Sequence, residues 1–175
     1  MWGEANAETA APDKRREGRR FSGWYLHVSE AKLCLADGDD DRKIDGGCMR
    51  ALIVDDSGFI RDYLRQLLER MGVVCVEAEN GREAIATLKE SPEFDLVLLD
   101  LNMPVMDGME CVKELRGAGL SPQSKVMMVT TEPDSVFIRR ALEYGADEFL
   151  MKPFTPESLQ EKLSMMGFSG MTVAA

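Results

Sequence analysis

From Arg50 onward the chain alternates between short apolar runs and longer segments with helical spacing, and few folds tolerate that rhythm. The apolar runs are Ala51 to Val54, Val73 to Glu77, Leu96 to Leu99, Val126 to Val129 and Glu148 to Met151. Most lack the polar alternation of a strand with one wet face, so buried strands are expected. The first helical segment carries Phe59, Ile60, Tyr63, Leu64, Leu67, Leu68 and Met71 at a spacing that faces a sheet, while Arg61, Asp62, Arg65 and Glu69 face water. Gly72 ends it. Gly81 to Glu90, Asp107 to Arg116, Asp134 to Tyr144 and Thr155 to Met166 read as four more helices. In the fourth helix Phe137, Ile138, Ala141 and Leu142 form the core-facing stripe, with Val136 left at the surface and Phe137, at the margin of the stripe, open to it as well. The last opens with Thr155 as N-cap and Pro156 at the first helical position. Five strands alternating with five helices predict a doubly wound α/β domain with a parallel sheet, because right-handed crossovers return each helix to the sheet.

In such a sheet the functional crevice lies outside the carboxyl ends of the strands. The first strand delivers Asp55 and Asp56 there, the third Asp100, the fourth Thr130 and Thr131, and the fifth Lys152 and Pro153. The second ends in Ala78-Glu79-Asn80, an ordinary route into a helix. Three carboxylates on one rim repel: two unit charges about 4 Å apart cost roughly 4 kcal/mol at an effective dielectric of 20. Lys152 neutralises part of that charge, and a hard divalent cation with oxygen ligands, Mg²⁺ for preference, can neutralise the rest. A carboxylate flanked by a metal, an ammonium and a hydroxyl is a nucleophile suited to phosphorus, where positioning and charge neutralisation do most of the work. Asp100 stands alone at the end of the central strand and is the nucleophile candidate. Asp55 and Asp56 are the metal holders.

Val54-Asp-Asp-Ser57, Leu98-Leu-Asp-Leu-Asn-Met-Pro-Val-Met-Asp-Gly108, Met128-Val-Thr130 and Lys152-Pro-Phe154, at these mutual spacings, resemble the signature set of response-regulator receiver domains. The resemblance covers roughly residues 49 to 168, and the chain is similar in texture to stand-alone receivers of the CheY type. It implies a flavodoxin/CheY-like sheet of five strands in the order 2-1-3-4-5. It implies that a sensor histidine kinase, or a histidine phosphotransfer protein, donates a phosphoryl group from phosphohistidine to Asp100. Asp56, Asp100 and the backbone carbonyl of Asn102 would bind Mg²⁺ directly, Asp55 would hold a metal-bound water, and Thr130 and Lys152 would each meet a phosphoryl oxygen. Phe149 matches the aromatic switch position, where many members have Tyr, and the Lys152–Pro153 peptide is a cis candidate. Such a protein signals rather than turning over a substrate, catalysing only its own phosphorylation and dephosphorylation.

No effector domain is expected after residue 168, so the signal is expected to leave by surface contact with a downstream protein through helix four, strand five and helix five, about residues 133 to 166. Lys162 matches a basic position of the motor-binding face in the chemotaxis receiver, but Asp134 and Ser135 stand where that protein is basic. A phosphorelay intermediate docking a histidine phosphotransfer protein through helix one is the alternative. There Phe59 and Ile60 are expected to pack on the sheet rather than dock. A pseudo-receiver that binds without phosphorylation is a further reading, disfavoured because every motif position is filled. A flavodoxin-like carrier is disfavoured because Asp55 and Asp56 would repel a flavin phosphate. A phosphatase is disfavoured because Asn102 stands where an acid/base carboxylate is needed.

The formal net charge of −10 argues against nucleic acid and anionic membrane surfaces as partners. No apolar run approaches the roughly 20 residues of a transmembrane helix, and the first 20 residues lack the apolar core of a signal peptide. Cys34, Cys48, Cys75 and Cys111 form no C-x-x-C pair, so reduced, idle thiols and a cytoplasmic location are expected. Residues 1–48 mix charge runs with Gly, Ala and Ser and show no sustained period, which predicts disorder. The acidic stretch at Asp37 to Asp41 fails as a calcium loop, with Arg42 where Gly is required and Cys48 where Glu is. Trp24 to Val28 is treated as an incidental apolar cluster. Residues 169–175 are a short tail. Met49, immediately before the first strand, is an alternative start that would make residues 1–48 an upstream extension. Intact mass of the native protein decides this, and peptides from residues 1–48 would exclude the later start.

Overall fold

The computed structural model of the protein describes residues 49–168 apart from Pro92 and Pro133. The expectations for residues 1–48 and 169–175, Cys34 and Cys48 included, lie outside the described residues. The elements follow in strict alternation: β1 (Arg50–Val54), α1 (Gly58–Arg70), β2 (Val74–Ala78), α2 (Gly81–Glu90), β3 (Leu96–Asp100), α3 (Gly108–Gly117), β4 (Lys125–Thr130), α4 (Ser135–Glu143), β5 (Glu148–Met151) and α5 (Pro156–Met165). The five strands form one parallel sheet in the order β2-β1-β3-β4-β5. β2 lies one residue later than the apolar run suggested, ending on Ala78 opposite Val54, and β4 gains Lys125 and Thr130, because there the ladder extends to residues whose backbones pair although their side chains are polar.

The period-2 alternation of the strands divides the core into two layers. Leu52, Val54, Val97, Leu99, Val126 and Met128 face α2, α3 and α4. Ala51, Ile53, Leu96, Leu98, Met127 and Val129 face α1 and α5, meeting Leu64, Leu67, Leu68, Leu159 and Leu163. The central strand β3 is buried along its whole length, which explains why its sequence is a continuous apolar run ending in a single carboxylate.

Helix ends obey the local chemistry of their caps. Asn80 accepts from the Glu83 N–H at 3.1 Å, Asp107 and Glu110 form a reciprocal capping box, and Thr155 caps α5 ahead of Pro156. Gly72 follows α1 with φ +83°. Three expectations fail. Phe59 is 78% exposed, because it sits on the first turn of α1, beyond the strand ends, while Ile60 packs on the sheet as expected. Arg61 does not face water: its side chain is only 12% exposed. On α4 only Ala141 is buried and Ile138 is half-buried, whereas Leu142, placed in the core-facing stripe, is exposed, and so is Phe137 at the margin of that stripe.

The loop from β3 to α3 is tightly constrained. The Gly108 N–H donates to the Leu101 carbonyl at 2.9 Å, and a Cβ at Gly108 would collide with the carbonyl oxygen of Asp100. Just before it, Val105 holds φ +71° while the Met106 N–H reaches the Pro104 carbonyl at 2.8 Å, closing a three-residue turn. A β-branched residue at positive φ is strained. Gly108→Ala is expected to cost about 2–3 kcal/mol in denaturant unfolding, because backbone rather than a movable side chain blocks the methyl. Val105→Gly, which relieves the strained φ, is expected to stabilise by about 1 kcal/mol. A destabilised Val105→Gly would show that the turn carries no net strain.

Candidate functional site

Every residue singled out at the strand ends arrives at the same rim. β1 ends at Val54, so Asp55 and Asp56 begin the turn into α1; β3 ends on Asp100 itself. β4 ends on Thr130, paired with Met151, and the next residue, Lys152, donates its N–H to the Thr130 carbonyl at 2.8 Å. The Lys152–Pro153 peptide is cis, as expected.

Asp55, Asp56 and Asp100 place carboxylate oxygens within 4.8 Å of one another. Asp55 and Asp100 are buried and Asp56 is exposed. Lys152 Nζ, on a side chain only 14% exposed, donates to Asp55 Oδ2 at 2.6 Å and to Asp100 Oδ1 at 2.7 Å. The remaining oxygens are also held, Asp55 Oδ1 by the Ser57 N–H at 2.9 Å and Asp100 Oδ2 by the Asn102 N–H at 3.0 Å. Burial pushes the Asp100 carboxyl above its ordinary range, and the Lys152 ammonium offsets part of that rise. For Lys152 burial acts downward, but the hydrogen bonds from Asp100 and Asp55 outweigh it and raise its affinity for the proton. The ammonium therefore stays charged at neutral pH.

Three carboxylates against one ammonium leave an excess of two negative charges on an all-oxygen donor set. That balance fits a hard divalent cation of the Mg²⁺ kind, with exposed Asp56 as the open ligand. The Thr130 hydroxyl accepts from the Glu132 N–H at 3.0 Å, which leaves its own proton free to be donated. Phe149 stands apart from the cluster, half-buried on β5 opposite Met128 and packed against the α2–α3–α4 layer. Asn102 touches the site through its N–H rather than its exposed side chain.

Sequence reasoning missed what lies behind the acidic turn. Arg61 Nη1 donates to the Asp55 carbonyl at 2.8 Å, Nε to Glu77 Oε2 at 3.1 Å and Nη2 to Glu79 Oε1 at 3.0 Å. Glu79, read as plain connection, is thus one anchor of a side chain that grips the site. Two glutamates at the end of β2 facing an Arg one helical turn into α1 were the available signal.

A parallel 2-1-3-4-5 sheet with an acidic cluster, a hydroxyl and an ammonium at its carboxyl edge is the arrangement of a receiver-type domain. The chain matches the family model of the Response regulator receiver domain over residues 51–164 and belongs to that family. It is 36% identical over 119 residues to chemotaxis protein CheY1 of Helicobacter pylori, covering 67% of this chain and 96% of that one. Among solved structures it is similar to CheY4 of Vibrio cholerae, with a TM-score of 0.64 and 35% identity over 68% of this chain and 98% of that one. It is similar too to the Borrelia burgdorferi CheX–CheY–BeF₃–Mg²⁺ complex, at TM-score 0.62 and 29% identity over 67% and 89% of the two chains. Receiver domains bind Mg²⁺ at an acidic pocket, and this chain has a cluster of three aspartates at the carboxyl edge of its sheet. Among the described residues no helix is long and apolar enough to cross a membrane.

The raised Asp100 pKa has a definite sign in stability. A carboxyl whose folded-state pKa exceeds its unfolded value favours folding fully below the ordinary value near 3.8, and that contribution is lost as pH rises through the folded pKa. With divalent metal chelated, Asp100→Asn is therefore expected to be more stable than the wild type at pH 7, the difference closing as pH falls towards 3.8. Thermal unfolding across that range tests this, and a wild type more stable than the variant at neutral pH would contradict it.

Proposed function

We propose that this protein is a response regulator that accepts a phosphoryl group from phosphohistidine on Asp100 and signals by phosphorylation-dependent binding to another protein. The observation that carries the reading is the shared ammonium: Lys152 is within hydrogen-bond distance of both Asp55 and Asp100, which leaves a buried carboxylate poised beside two others. The same geometry supports Asp100 as nucleophile and Asp56 and Asp100 as direct ligands of Mg²⁺, and the likeness to receiver domains adds the Asn102 carbonyl as a further ligand and Asp55 as holder of a bound water. When bound, Mg²⁺ would supply charge neutralisation for the incoming phosphoryl oxygens.

The chain's own groups do the rest. Lys152 pairs with one phosphoryl oxygen and the Thr130 hydroxyl donates to another. Modification turns one carboxylate into a group with about two negative charges and three strong acceptors. Thr130 drawn towards Asp100 carries the Glu132 N–H with it, and the loop into α4 follows. Phe149 can fill the vacated space but has no hydroxyl to lock the loop. The protein thereby catalyses only its own phosphorylation and dephosphorylation.

Val136, Phe137 and Leu142 of α4, Met151 of β5 and Met165 of α5 are exposed apolar residues, which supports an output surface on α4, β5 and α5. Lys162 there is paired with Glu148 at 3.1 Å. The B. burgdorferi relative is seen as a CheX–CheY complex, in keeping with a protein partner. Phe59, exposed on the first turn of α1 beside the acidic rim, favours a second reading in which a histidine phosphotransfer protein docks there as donor or acceptor.

Incubation with a small acyl phosphate and Mg²⁺, followed by intact mass, is expected to show one phosphoryl group on the wild type and none on Asp100→Ala or in the presence of chelator. Mg²⁺ alone is expected to raise the wild-type Tm with its concentration, while Asp56→Asn loses most of that rise. A folded wild type that accepts nothing from either the acyl phosphate or a phosphohistidine donor would leave only a binding module.

A further inference from the structure

We infer that Arg61 is a positioning residue for the cation site, acting through the backbone carbonyl of Asp55. This inference rests on the receiver reading of the acidic cluster. Asp55 and Asp56 sit on a turn, not in the sheet, so their direction depends on what fixes the peptide between them. Among the described residues that peptide is anchored by the 2.8 Å hydrogen bond from Arg61 Nη1 to its carbonyl oxygen. On the preceding side the Asp55 N–H reaches the Ala78 carbonyl at 3.2 Å.

The guanidinium is itself over-determined. Glu77 and Glu79, at the end of β2, hold Nε and Nη2 at 3.1 and 3.0 Å, so three of its donors are used in three directions. Its neighbour Arg65 shares the same network, bonding Glu77 Oε1 at 2.9 Å and Asp62 Oδ1 at 2.6 Å, and these bonds include none to the acidic turn. Arg65 is thus the natural control.

Charge and position make opposite predictions for Arg61. A cation near a metal site repels the metal, so a residue acting only by its charge would strengthen Mg²⁺ binding when removed. A residue that aligns the Asp55–Asp56 peptide would weaken it when removed, because exposed Asp56 takes its direction from that backbone. Lys cannot make the three-way fork, so Arg61→Lys separates the two effects at constant charge.

The experiment is calorimetric titration of the full chain with MgCl₂, alongside thermal unfolding in chelator to report folding. Arg61→Lys is expected to bind Mg²⁺ about five- to tenfold more weakly than the wild type, and Arg65→Lys within about twofold of it. Arg61→Gln, which removes the charge as well as the fork, is the second variant and is expected to bind more weakly than the wild type, because the lost alignment outweighs the lost repulsion. Tighter binding by Arg61→Gln, an unchanged affinity in Arg61→Lys, or equal losses in Arg61→Lys and Arg65→Lys would each overturn the inference. A folded wild type that binds no Mg²⁺ would overturn the metal reading as well, which separates the two failures.

Discussion

Two buried carboxylates share one ammonium at the carboxyl edge of the sheet, and the rest of the molecule is arranged around that contact. Asp55 and Asp100 come from adjacent strands and would repel in a site with little water. Lys152 arrives from the far edge strand, across β4, to lie between them. The 2-1-3-4-5 order allows this, because it sets β1 and β3 side by side and lets the loop after β5 fold back over β4. The site is assembled from residues 97 and 52 positions apart in sequence, so it exists only when the sheet is complete.

The compensation is partial. Each carboxylate keeps one oxygen on the ammonium and one on a backbone N–H, yet Asp100 still binds its proton more tightly than an ordinary aspartate. The folded state therefore carries an unspent excess of negative charge at one place. Sites that hold strain or charge against stability are those where binding or chemistry can release it. The packed layers on both faces of the sheet provide the stability against which that excess is held, with Gly108 allowing the loop after β3 to lie directly on the Asp100 backbone.

Much of this was legible before any coordinates. Apolar runs and helical stripes gave the element order, and reading the residue after each strand located Asp55, Asp56, Asp100, Thr130 and Lys152, since strand ends in a parallel sheet must converge. The failures share a cause. Arg61, Phe59 and Leu142 were assigned by helical periodicity, which states which face of a helix a residue occupies but not how far the sheet extends beneath it. Phe59 lies past the strand ends. Arg61 lies on a face that periodicity marks as wet, but Glu77 and Glu79 rise from the neighbouring strand to cover it. A pattern within one segment cannot report a partner supplied by another. Val105 is a harder case: nothing in its sequence signals that a β-branched residue will take φ +71°.

The weak seating of α4 connects the site to the surface. α1, α2, α3 and α5 each bury two or more large apolar side chains or a run of them against the sheet, whereas α4 buries only Ala141. A helix held by so little apolar area costs little to shift, because burial energy scales with the area removed from water. The loop leading into it begins at Thr130, whose hydroxyl is tied to the Glu132 N–H. Thr130 is fixed at the end of a strand buried from Val126 onward, so a change in what its hydroxyl bonds is transmitted to the loop rather than absorbed by the sheet. The displacement then falls on the element with the least to lose, and that element carries Val136, Phe137 and Leu142 at the surface. If Asp100 takes the phosphoryl group as proposed, rigid strands, one hydroxyl at their edge and one loosely seated helix would couple that charge event to an apolar patch on the outside.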